Sequence, residues 1–288
     1  MMKPAERAFL ICAAFALISG AAVVGLPLAA RAPAQEAATA SPGLSTSVDA
    51  YSRRYAGLST PFDSIMDDRG TGFAGVAGTR NFRVVLRGIL YRGGANNAYG
   101  DFRLADQKRR QGPLQARALQ NLCKEGFADA FFAYGNRALH ETVNCARDRG
   151  SNVLSYRGLR PQSPGSDRRE FLRILHDQIT GPDHRPVFVH CWNGYHASGI
   201  AAAVALRQFC GISAEDAVAY WKSEAPSLPE PAQTKSIDQI RNFSPIPELT
   251  LTPADQKIVC YGGALVGQKA VYRLPKAASA TPARTRSL

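Results

Sequence analysis

The stretch that most restricts the fold lies between residues 185 and 211, RPVFVHCWNGYHASGIAAAVALRQFCG. A Pro-headed run through Val187, Phe188 and Val189 is short, apolar and β-branched, which suits a buried strand. Ile200 to Cys210 is apolar and Ala-rich, and Gly211 stands where a helix stops. Strand, tight loop and helix in that order form one half of a parallel α/β unit. A loop that opens a helix has a chemical consequence. The backbone N–H groups of Trp192, Asn193, Gly194, Tyr195, His196, Ala197, Ser198 and Gly199 are expected to curl around a point at the helix N-terminus, an anion-binding nest with the positive end of the helix dipole behind it. The same field favours a thiolate over a thiol at Cys191. A thiolate beside a phosphate cradle can attack phosphorus in line, and the Ser198 hydroxyl is placed to hydrogen-bond the sulfur and help it leave when water hydrolyses the phosphocysteine.

The rest of the chain supplies compatible parts. From Asn81, NFRVVLRGILYRGG reads as short strands ending in a Gly turn. Leu114, Ala118, Leu119 and Leu122 recur at helical spacing before Gly126, and ADAFFAYG and NVLSYRGLR read as strands. Phe171, Leu172, Leu175 and Ile179 line one face of a further helix, and Ser213 caps the acidic start of another. Five prolines from Pro226 to Pro247 precede a possible strand pair, KIVCYGG and KAVYRL. The expected organisation is an exported leader at 1–34, a flexible Ala/Ser/Gly-rich segment at 35–80, a catalytic-type domain at 81–225, a Pro-rich extension packed on it at 226–275, and a loose basic tail at 276–288.

The leader is read from Lys3 and Arg7, which precede 22 uncharged residues from Phe9 to Ala30, and from the small-x-small pattern of Ala32-Pro33-Ala34. The apolar run suits a signal peptide cleaved before Gln35 or an uncleaved inner-membrane anchor that associates the chain with the bilayer, and in both cases the remainder is exported. Cys12 then departs with the leader or stays in the membrane, and Cys123, Cys145, Cys191, Cys210 and Cys260 reach an oxidising compartment. Five is odd, so two disulfides and one free thiol is the economical reading, and Cys191 is the thiol that the loop chemistry needs free; several buried reduced cysteines is the bland alternative. The net charge of +12 favours anionic partners. No motif specifies nucleic-acid recognition, no zinc spacing joins His and Cys, and GYHASG lacks the lysine of a nucleotide P-loop, so no metal or cofactor is expected.

His190-Cys191, five residues, Ala197, Ser198 and Gly199 resembles the signature loop of the cysteine-based protein tyrosine and dual-specificity phosphatases, which is His-Cys, five residues, Arg, Ser or Thr, and Gly. GILYRGGANN with the helix and KEGF that follow, and FCGISAEDAVAYW after the loop, are similar to the compact bacterial members, so that residues 81 to 225 are covered. The resemblance implies an α/β domain with a central, mostly parallel sheet flanked by helices on both faces, and a phosphate monoester as substrate, carried on a phosphoprotein, a phosphorylated sugar or a lipid headgroup. It fails at the arginine, where Ala197 stands; that arginine grips two phosphate oxygens as a fork. His196 as imidazolium, or Arg92, Arg137, Arg157 or Arg160 from neighbouring loops, is the available replacement. The family's general acid falls on Asp167, which equally reads with Glu170 as a capping box. His190 is expected to support the loop backbone, Trp192 and Tyr195 to wall the pocket, and Asn193 to serve the turn. Three functions fit these residues: a phosphatase, a phosphatase-like binding module without turnover, and a thiol redox or sulfur-transfer protein.

Overall fold

A computed structural model of the chain describes residues 39–58, 61, 64–65, 76–96, 112–224, 229–261 and 272–273. The apolar leader and the basic tail fall outside the described residues. Strands are β1 (Ser64–Ile65), β2 (Thr79–Leu86), β3 (Leu90–Ala95), β4 (Asp129–Phe132), β5 (His140–Ala146), β6 (Ser151–Gly158), β7 (Val187–Cys191) and β8 (Tyr272–Arg273). Helices are α1 (Leu44–Arg54), α2 (Ala116–Glu125), α3 (Ser166–Thr180), α4 (Ala197–Cys210), α5 (Ala214–Glu224), α6 (Glu230–Arg241) and α7 (Pro253–Val259). The strands form one sheet in the order β5-β6-β4-β7-β3-β2-β1-β8, the last two being two-residue ribbons. Its centre is parallel, β6 to β4 to β7 to β3, and hairpins add β5 and β2 antiparallel on either side. This is the three-layer α/β arrangement expected.

Period-two alternation builds the two faces. Phe131, Val187 and Val189 point into one core with α3, α4, α5, α6 and α7. Ala130, Phe132 and Phe188 point into the other, which α2 covers together with a ring cluster of Tyr55, Phe82, Tyr91 and Phe127. Helix α4 is apolar all round and correspondingly buried from Ile200 to Leu206. Ser213 caps α5, its Oγ accepting from the Asp216 N–H at 3.0 Å.

Two expectations are corrected. Residues 44–54, assigned to a flexible leader, form α1: Leu44 and Val48, four residues apart, are buried in the core, and Ser41 donates from N and Oγ to Asp255 of α7. Polar composition masked a short apolar stripe. The KIVC segment is the end of α7 and not a strand, because Thr252 caps its start, with Oγ1 accepting from the Asp255 N–H, and Pro253 follows at the first helical position. KAVYRL does contain a strand, β8, which pairs parallel with β1. Strand β5 went unread because it is a polar edge with its side chains mostly exposed.

Among the described residues two disulfides form, Cys123–Cys145 between α2 and β5 and Cys210–Cys260 between the end of α4 and the residue after α7, and Cys191 is free and buried. The second bond closes a separation of 50 residues. Chain entropy makes such a closure worth about 4 kcal/mol. Changing Cys210 and Cys260 together to Ala is expected to cost roughly that much in urea denaturation; a loss below about 1 kcal/mol would mean the bond does not constrain the unfolded chain.

Candidate functional site

Cys191 ends β7 between β4 and β3, and the loop after it lies down on the end of β3. The Ala95 N–H donates to Trp192 O at 3.0 Å, and Gly94 bridges Asn193. The Gly93–Gly94 pair is therefore no turn, as its sequence suggested; it is the in-strand bed of the loop. A Cβ on Gly94 would stand 2.5 Å from both Trp192 O and the Asn193 carbonyl carbon. Gly194, at φ +81°, faces it with equally little room, 2.6 Å from the Gly93 carbonyl carbon.

Donors outside the loop hold its carbonyls. Asn81 Nδ2 donates to Gly194 O at 3.2 Å and to Asn193 O at 3.4 Å, and its own Oδ1 accepts from Arg83 Nε at 2.9 Å. The buried Arg92 guanidinium donates from Nη1 to Gly194 O and from Nε to the Tyr220 hydroxyl at 3.0 Å. Trp221 Nε1 donates to His196 O at 3.3 Å from the far side, and its ring leaves 3.0 Å for a Cβ at Gly199. In a planar trans peptide the C=O and the following N–H point opposite ways. Fixing the Trp192 and Gly194 carbonyls on the β3 side thus turns the Asn193 and Tyr195 N–H groups away from it, the orientation a nest requires.

Within this frame Cys191 is 2% exposed and its Sγ lies 3.3 Å from Ser198 Oγ. Behind it His190 is wholly buried between Phe132, Phe188 and Tyr156. His190 Nδ1 meets Cys191 O at 3.1 Å, and a carbonyl only accepts, so Nδ1 carries the proton and Nε2 accepts from the Tyr156 hydroxyl at 2.9 Å. That hydroxyl in turn accepts the Leu114 N–H. Burial, against a smaller pull from Cys191 O, pushes His190 down to about 3, so the ring is neutral at physiological pH and acts as a strut. Tyr134 is a site residue that the sequence reading missed. It follows β4 and its ring lies 5.0 Å from that of Trp192, tilted at 57° to it, and Trp192 is 49% exposed; the Tyr134 hydroxyl accepts the Ala197 N–H. Burial, and then negative charge at Cys191, hold its proton well above the usual phenol range. A single Tyr after a strand carries no motif, so only the fold reveals it.

Asp167 does not join this group. Its Oδ1 accepts from Arg137 Nη2 at 2.5 Å and its Oδ2 from the Arg160 N–H at 3.1 Å. Burial raises its carboxyl, but the Arg160 N–H and the Arg137 guanidinium outweigh that and hold it below the ordinary carboxylate range, the wrong direction for a proton donor. Nor is it a cap: α3 begins after Gly165 with no side-chain cap bond. Three of the four candidate replacement arginines are spoken for as well, and the fourth, Arg160, is exposed. Arg92 reaches the loop but grips a carbonyl, while Arg137 and Arg157 pair with Asp167, Asp129 and Glu170. Beside Ala197 opens a cavity of about 280 Å³, whose lining includes Tyr134, Gln162, His196 and Lys235. Among the described residues no cluster of three or more His, Cys, Asp or Glu could hold a metal.

No protein-family model, no curated protein and no solved structure matches the chain.

The His190 strut generates a pH dependence. The folded ring resists protonation down to about pH 3 whereas the unfolded one takes a proton near 6.5, so stability is full above about 6.5 and falls as pH drops below it, by up to roughly 1.4 kcal/mol per unit. Thermal melts of the wild type and of His190→Gln between pH 7 and 4 are expected to converge as pH falls; parallel curves would contradict the assignment. Tyr156→Phe leaves two buried groups without the hydroxyl, and is expected to cost about 1–3 kcal/mol.

Proposed function

We propose that this chain is an exported, cysteine-dependent phosphate monoester hydrolase, and that Cys191 is its nucleophile. The observation that carries the reading is Cys191 Sγ, the free thiol among two disulfides, buried at the carboxyl end of a central parallel strand with Ser198 Oγ at 3.3 Å and the start of α4 directly after the loop. Ligand sites of parallel α/β sheets lie at this end of the strands. The two disulfides fit an oxidising compartment, which supports export.

In this reading the Cys191 thiolate attacks phosphorus, forming the S–P bond as the ester P–O bond breaks, and the departing oxygen takes a proton from water. A second water then attacks phosphorus, orthophosphate leaves, and the electron pair of the S–P bond returns to sulfur while Ser198 Oγ–H donates to it. The loop N–H groups and the α4 N-terminus stabilise the equatorial oxygens. No Asp or Glu lines the cavity beside Ala197 among the described residues. With no carboxylic acid among these described residues to protonate it, a leaving group that tolerates negative charge is favoured, a phenol, of pKa about 10, over the far less acidic alkyl alcohols. Trp192 and Tyr134 offer aromatic faces for the aryl ring.

Ala197 and the committed Asp167 favour a second reading, anion binding without turnover. Thiol redox chemistry is less well supported, because the other four described cysteines are paired with one another.

Aryl and alkyl phosphates of graded leaving-group acidity separate these. Turnover that rises steeply with leaving-group acidity, vanishes in Cys191→Ser and is accompanied by vanadate protection of Cys191 from iodoacetamide is the expected result. Protection without turnover would establish the binding reading. Neither protection nor turnover, or turnover that survives Cys191→Ser, would overturn the proposal.

A further inference from the structure

We infer that Lys235 of α6, outside the residues that carry the family resemblance, supplies the cation missing at position 197 and contacts the bound phosphoryl group; this rests on the anion-site reading of the Cys191 loop. The cavity of about 280 Å³ beside Ala197 is closed on one side by His196, Ala197 and Ile200 of the loop and α4, and on the other by Ala232, Lys235, Ser236 and Gln239 of α6. Lys235 is the one Lys or Arg among its described lining residues, and no carboxylate lines it. Asp238, one turn further along α6, lines only the larger neighbouring cavity, which Lys235 also borders. The room that a long side chain at 197 would fill is thus left open, and a cation from another element borders it. An ammonium is a point charge on a flexible stem and needs no fork geometry to meet an anion there.

A second, independent feature points to a ligand in the same cavity. Gln162 is 9% exposed, its Nε2 donates to Ala133 O at 2.8 Å, and its Oε1 is buried with no hydrogen-bond partner. A buried acceptor without a donor is unfavourable, and a ligand bearing a hydroxyl removes that cost. The singly protonated phosphoryl group is such a ligand: its anionic oxygens suit Lys235 and the α4 N-terminus, and its P–OH suits Gln162 Oε1. The two sides of the cavity are fixed to each other by Arg168. Its buried guanidinium donates from Nε to Pro161 O at 3.1 Å, from Nη2 to Gln162 O at 2.5 Å and from Nη1 to Gln239 O at 3.4 Å, joining the Gln162 loop to α6. The Pro-rich extension therefore completes the anion site.

The test measures vanadate protection of Cys191 and aryl phosphate turnover in the full chain carrying Lys235→Gln, Lys235→Arg or Lys222→Gln. Lys235 is exposed, so its neutral variant folds, and Lys222, exposed on α5 and absent from the cavity, controls for the loss of one charge from a basic protein. Lys235→Gln is expected to lower kcat by roughly 10²-fold or more and to raise the vanadate concentration needed for half-protection at least about tenfold, with Lys235→Arg recovering most of both and Lys222→Gln changing neither. If the chain binds without turnover, the protection midpoint alone carries the same prediction. Lys235→Gln with unchanged protection, or the same loss in Lys222→Gln, overturns the assignment while leaving the Cys191 site standing. Wild-type protein that shows neither protection nor turnover overturns both.

Discussion

The site depends on one constraint: the carbonyl groups of the loop after Cys191 are bonded away from its interior. Ala95 N–H, Asn81 Nδ2 and Arg92 hold the Trp192, Asn193 and Gly194 carbonyls against β3, and Trp221 holds that of His196. Peptide planarity converts the positions of these acceptors into directions for the donors. Much of the surrounding architecture exists to keep those four donors in place. The glycine pair of β3 lets the two backbones touch, the inward face of β2 presents Asn81, and α5 provides both Tyr220 and Trp221. Arg92 illustrates the economy of the arrangement. A buried guanidinium beside a candidate anion site would ordinarily be assigned to the anion, yet here it is bonded to the frame, where its charge still adds to the local positive field.

How much of this was legible in the sequence depends on the range over which each signal acts. The β7, loop and α4 unit is local: a β-branched run, a tight loop and an apolar helix stopped by glycine leave little choice, and the loop residues with Cys191 and Ser198 follow from it. The odd cysteine count left one thiol over, and the loop chemistry pointed to Cys191 as that one, apart from the four that pair. What could not be read is non-local. Asn81, Tyr134, Tyr156 and Trp221 come from four different elements, and nothing in their neighbours hints at a shared target. Asp167 shows the converse failure. Its place in the chain suited an acid or a cap, but Arg137 and the Arg160 N–H bind it more strongly than either role would. Helix α7 was missed because a two-residue capping signal, Thr252 and Pro253, outranked the β-branched run after it.

Polar groups that the loop does not use explain why the extension after α5 belongs to the domain. Ile240, Phe243, Leu249, Leu251 and Val259 bury into the same core as α4, and Cys260 is tied to Cys210. Arg207 donates to Ile240 O at 2.6 Å and Gln208 exchanges bonds with Ile246, so the far end of α4 is gripped by the segment that also closes the cavity at its near end. A single helix thus connects the disulfide, the extension and the proposed anion site, and its Ala-rich sequence is what allows so many neighbours to approach it closely.

The most direct test of the central claim observes the loop amides themselves. Amide ¹H–¹⁵N spectra of the Cys191→Ser protein, titrated with tungstate as an unreactive phosphate mimic, report each N–H from residue 192 to 199. Saturable shifts concentrated in that segment, with Asn193 and Tyr195 among the largest, are the predicted result. Shifts scattered over the basic surface, with the loop amides unmoved, would contradict an inward-facing nest and the function built on it.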